Sequence, residues 1–116
     1  MLLVAIVFFI FAALLGLAIL TKIFKHKSTY KPVVFIHGTL ASIALINLAV
    51  YVALGHKDLL LIVSFVFFVL TAIGGFTLFT FDINDKQIPK MLAVLHPIGG
   101  IISLTLLILY VVHRVS

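Results

Sequence analysis

Residues 59–81 read LLLIVSFVFFVLTAIGGFTLFTF, 23 consecutive positions without a charged side chain. A helix rises 1.5 Å per residue and the hydrocarbon core of a bilayer is roughly 30 Å thick, so about 20 such residues cross it. Three more charge-free stretches surround this one, at 1–21, 32–56 and 91–113. In hydrocarbon the backbone must satisfy its own hydrogen bonds, and these runs are too long and too continuously apolar for alternating barrel strands. The reading is therefore all-α: an integral membrane four-helix bundle forming a single domain over 1–116, with helices at about 1–21, 32–55, 59–81 and 90–113.

Composition agrees. Of 116 residues, 65% are hydrophobic and 9% charged, far outside the range of soluble domains. There is no cysteine, which removes disulfides, thiolate metal sites and covalent haem attachment. The three acids, Asp58, Asp82 and Asp85, all lie outside the apolar stretches, so cation coupling through a carboxylate within the bilayer has no candidate. The chain also lacks the membrane glutamate on which small multidrug transporters rely. The first stretch has no basic residue ahead of it and runs into Lys22 and Lys25 instead of a small-residue cleavage site, so it reads as a helix and not a signal peptide.

The short loops set the orientation expected. Lys22, Lys25, Lys27, Lys31, Lys86 and Lys90 stand at one end and Lys57 and Arg114 at the other. By the excess of basic residues, loops 22–31 and 82–90 face the cytoplasm and both termini face outward, in an inner (cytoplasmic) membrane crossed several times. The partner expected for these lysines is anionic lipid of the bilayer and no nucleic acid.

The sequence also repeats. Shifted by 59 positions, residues 1–57 pair with 60–116 without a gap, and 16 of the 57 pairs are identical. Val7-Phe8-Phe9 falls on Val66-Phe67-Phe68, Gly16 on Gly75, Lys31 on Lys90, His37 on His96 and Tyr51 on Tyr110. Each unit holds two spans, so the copies enter the bilayer in the same direction, as parallel two-helix repeats about an axis along the membrane normal. In such a bundle helices 2 and 4 lie diagonally opposite.

His37 and His96 then occupy equivalent places within one leaflet. Ionisable residues inside a membrane bundle are costly and usually face its interior, which makes a matched pair a site candidate. Steps of four, seven, eleven and fourteen from His37 reach Ala41, Ala44, Leu48 and Tyr51; from His96 they reach Gly100, Ser103, Leu107 and Tyr110. These lie within about 40° of the histidine direction, so both helices present histidine, small, small, Leu, Tyr. Two imidazoles on diagonal helices with small neighbours suit one haem b, with His37 and His96 as axial metal ligands and no covalent attachment. Ala41 and Gly100 leave volume for the macrocycle, Gly38 removes bulk beside His37, and Lys31 and Lys90 sit where anionic propionates would emerge. A second haem is not expected, because His56 and His113 are not repeat mates.

The stretches Lys31-Pro32-Val33-Val34-Phe35-Ile36-His37-Gly38 and Leu95-His96-Pro97-Ile98-Gly99-Gly100 resemble, in architecture, the transmembrane b-type cytochromes of the cytochrome b561 kind. That resemblance implies histidine-ligated haem and electron transfer within the bilayer, with quinol or a membrane redox partner as donor. The alternative is a small accessory or transport protein, or a subunit of a larger complex, whose histidines fix packing or bind another ligand. Neither reading specifies an enzyme. Elsewhere, His26 reads as solvated and Tyr51 and Tyr110 as aromatic-belt anchors. Gly16, Gly74 and Gly75 read as close helix packing, Asn47 as an interhelical hydrogen bonder, and Asp82, Asn84 and Asp85 as a polar turn.

Overall fold

The structure, a computed structural model, describes residues 1–115. Four helices account for most of them: α1 (Leu2–Phe24), α2 (Lys31–Ala53), α3 (Leu59–Ile83) and α4 (Lys90–Val115). All four are long and apolar enough to cross a membrane, and the bundle measures 44 × 24 × 22 Å. Its surface agrees with that role: Leu3, Phe11, Phe76, Met91 and many other large apolar side chains point outward, which a water-soluble bundle would hide. This is a multi-pass membrane protein.

The helix ends follow local chemistry. α1 continues past Thr21 to Phe24, placing Lys22 in its last turn where a cation complements the helix dipole. It closes when the Lys27 amide donates to the Lys22 carbonyl at 3.0 Å, with His26 in the left-handed region at φ 55°. α3 closes the same way 59 residues later. The Lys86 amide donates to the Phe81 carbonyl at 2.9 Å, with Asp85 at φ 54°. These are Schellman closures, usually completed by glycine. Asp82, expected in a polar turn, instead belongs to the last turn of α3. α2 stops at Ala53, two residues short of the expected end, as the chain turns through Gly55 at φ 108°. Asp58 then caps α3 by accepting a hydrogen bond from the Leu60 amide at 2.9 Å.

α1 packs most closely on α2 and α3 on α4, while the α1–α4 and α2–α3 contacts join the two hairpins. The diagonals are thus α1/α3 and α2/α4, as the repeat requires. Burial obeys the repeat as well. Leu2 and Leu61, Ala5 and Ser64, Phe9 and Phe68, Ala44 and Ser103, Leu48 and Leu107, and Tyr51 and Tyr110 are all buried, each pair 59 positions apart. Lipid is as apolar as leucine, so helix association here rests on close packing and a few polar links. Small residues at Ala5, Ser64, Ala44 and Ser103 let the helices approach, and the Ser64 hydroxyl donates to the Ser103 carbonyl at 2.8 Å. Phe9 and Phe68 stack across the α1/α3 diagonal at 3.9 Å, close to parallel.

Candidate functional site

His37 and His96 meet across the other diagonal. Their ring centroids are 6.1 Å apart and the ring planes are nearly perpendicular, at 86°. Each ring is held by its own hairpin. His37 Nδ1 donates to the Ala12 carbonyl at 2.7 Å, and His96 Nδ1 donates to the Thr71 carbonyl at 2.9 Å. Ala12 and Thr71 are themselves 59 positions apart, so the repeat extends to the hydrogen bonds. A carbonyl only accepts, which places the hydrogen on Nδ1 and leaves Nε2 of the neutral ring with its lone pair. Neither Nε2 is hydrogen-bonded to another described residue.

Gly16 and Gly75 make room for these rings. A Cβ at Gly16 would lie 2.9 Å from His37 Cε1, and one at Gly75 would lie 2.6 Å from His96 Cε1. The glycines do serve close packing, as their composition implied, and what packs against them is imidazole. Their place as repeat mates was visible in the sequence; their partnership with the histidines was not.

The other expected site residues divide. Ala41 and Gly100 are half-buried beside the histidine layer. Gly38 is exposed, with no atom within 4 Å of where its Cβ would be, so the space it leaves opens outward. Lys31 turns to Asp82 in an ion pair of 3.0 Å and donates to the Thr29 hydroxyl at 3.0 Å, while Thr29 donates to the Asp82 carboxylate. Lys90 is exposed. Tyr51 and Tyr110 are not belt anchors. Both are buried, because they share the inward face of the histidines, and the Tyr51 hydroxyl has no hydrogen-bond partner among the described residues. Tyr51 instead stacks on His56 at 3.8 Å, beneath the Arg114 guanidinium at 5.7 Å from its ring. His56 Nδ1 bonds the Tyr51 carbonyl at 2.9 Å. Asn47 is half-buried and makes no hydrogen bond with its side chain among the described residues, so the interhelical bond expected of it is not formed.

Each imidazole is thus tied through Nδ1 to a carbonyl of the neighbouring helix in its own hairpin, which fixes its ring orientation. No family model, curated protein or solved structure matches the chain.

Proposed function

We propose that this chain is a b-type haem protein of the membrane that carries electrons within the bilayer, with His37 and His96 as the residues that would hold one haem. The observation that carries the reading is the meeting of two repeat-related imidazoles across the bundle, each with Nδ1–H anchored to a carbonyl and Nε2 left free. The donor set fits the group. His37 and His96, with ring centroids 6.1 Å apart and Nδ1 of each engaged by a carbonyl, would offer their Nε2 atoms to its metal. Haem held there supplies one-electron chemistry, at a potential tuned by its ligands and their hydrogen bonds.

The chain's own residues have definite tasks in this reading. Ala12 and Thr71 fix tautomer and ring orientation through their carbonyls. Gly16 and Gly75 let the imidazoles seat against α1 and α3. The stacked Phe9 and Phe68 close the core between the histidine layer and the end bearing the termini. No residue is required for acid–base work, so the expected partners are a quinol or other membrane donor and a second redox carrier. By the excess of lysine, the end carrying Lys22, Lys25, Lys27, Lys31, Lys86 and Lys90 faces the cytoplasm across an inner membrane.

The test is a spectrum. Chain purified in mild detergent from haem-supplied cells is expected to be red, with a Soret band that shifts on dithionite reduction. The band is lost in His37→Ala and in His96→Ala variants that keep their helical circular dichroism. A colourless wild-type preparation refutes the proposal. One observation favours a second reading, in which the pair only fixes packing: each imidazole already fills a glycine notch and is bonded within its own hairpin. On that reading the histidine variants lose stability and the wild type has no chromophore.

A further inference from the structure

A cavity of about 310 Å³ opens at the end of the bundle where the 25–30 and 84–89 loops meet. Its lining consists of repeat mates without exception: 23 with 82, 26 with 85, 27 with 86, 28 with 87, 29 with 88 and 31 with 90. The cavity therefore lies on the pseudo-twofold axis, and each Schellman-closed loop delivers the same pair of lysines to it.

The charges are not balanced. Lys27, Lys31, Lys86 and Lys90 line the cavity with His26, against Asp82 and Asp85. Asp82 is taken up by Lys31 and Thr29. The repeat mates of Asp82 and Thr29 are Ile23 and Ile88, so Lys90 has no carboxylate in the place where Lys31 finds one. Lys27, Lys86 and Lys90 have no ion-pair partner among the described residues. Three lysines without an ion-pair partner among the described residues thus line a polar cavity at the level where a span meets the headgroups.

We propose that this cavity is a binding site for a phosphate group, with Lys27, Lys86 and Lys90 as the cations that hold it. Ammonium groups are point donors suited to phosphate oxygens from several directions, and basic pockets beside membrane spans take anionic headgroups. The same chemistry is offered by a phospholipid headgroup and by free phosphate. The site does not depend on what the histidines hold.

Full-length chain in phosphatidylcholine nanodiscs doped with phosphatidylglycerol, analysed by native mass spectrometry, tests the lipid source; calorimetric titration with inorganic phosphate in detergent tests the free one. At least one probe is expected to bind. Its affinity should fall by about tenfold or more in Lys27→Gln/Lys86→Gln/Lys90→Gln, while Lys22→Gln/Lys25→Gln, which removes two charges from the same end outside the cavity, leaves it unchanged. Asp85→Asn should tighten it. Retention of phosphatidylglycerol alone identifies the headgroup as occupant, and saturation by inorganic phosphate alone identifies the free anion. Binding of neither probe, or equal loss in the two lysine variants, overturns the proposal.

Discussion

Alanine at Gly75 and alanine at Gly74 are neighbouring, chemically identical changes with opposite structural consequences. At Gly75 the new Cβ would stand 2.6 Å from His96 Cε1, 3.2 Å from Nε2 and 3.3 Å from Nδ1, where carbon atoms in contact rest at about 3.5–4.0 Å. The ring has to swing away, and in doing so it stretches the 2.9 Å bond from Nδ1 to the Thr71 carbonyl. Losing that bond in a water-poor interior costs about 1–3 kcal/mol, and an off-rotamer ring adds roughly 0.5–1.5 kcal/mol. At Gly74 the Cβ meets only Leu92 Cδ1 at 3.9 Å, an ordinary contact. The gain in helix preference, about 1 kcal/mol for Gly→Ala, is common to both and cancels. Gly75→Ala is therefore expected to be less stable than Gly74→Ala by about 1.5–4.5 kcal/mol. Unfolding in mixed detergent micelles of increasing SDS fraction, followed by far-ultraviolet circular dichroism, measures the difference. Gly16→Ala should lie between the two, since its Cβ would approach His37 less closely, at 2.9 Å. Equal midpoints for the Gly74 and Gly75 variants would refute the seating of imidazole against glycine.

Three further perturbations probe other parts of the bundle. His26→Gly and Asp85→Gly relieve left-handed backbone at a Schellman closure and should each raise stability by about 0.5–1 kcal/mol, read as a higher melting temperature in detergent; no change in either would argue against the loop conformation. Asp82→Ala removes the ion pair to half-exposed Lys31 and the acceptor of the buried Thr29 hydroxyl proton, at an expected cost of about 1–2 kcal/mol, with Asp82→Asn recovering part of it; an unaltered SDS midpoint would show that the link does not join the hairpins. The chain has no cysteine, so Ser28→Cys and Lys57→Cys report topology directly. An impermeant maleimide added to intact cells should label the second and spare the first, and the reverse pattern would invert the orientation.

Spans, repeat and diagonal arrangement were legible because they depend on quantities a sequence carries directly: the length of charge-free runs and identity at a fixed offset. The inward face of each helix was less so. Leu3 is exposed and Leu2 buried, and hydrophobicity does not separate them, since lipid and core are equally apolar. The inward face was found only where polar or small residues marked it, at His37, Ala44, His96 and Ser103. Gly38 shows the limit of proximity along the chain: the residue after a histidine is rotated by about 100° on a helix, and Gly38 turns outward while its neighbour turns in. The carbonyls of Ala12 and Thr71 were illegible in principle, because every residue has a carbonyl and only packing decides which one a ring nitrogen meets.

The two repeats differ in a patterned way. Where a group sits on the pseudo-twofold axis, both copies must supply it, and there the residues match: His37 with His96, Gly16 with Gly75, Lys27 with Lys86, Tyr51 with Tyr110. Where a single polar link joins one hairpin to the other, one copy is enough, and there they diverge. Asp82 and Thr29 make the link between hairpins while their mates Ile23 and Ile88 make none, and within the second hairpin Ser64 bonds the Ser103 carbonyl while Ala5 and Ala44 pack without a bond. The two histidines, with duplicated carbonyl anchors and duplicated glycine seats, belong to the first: they meet across the α2/α4 diagonal, and each hairpin supplies its own anchor and its own seat.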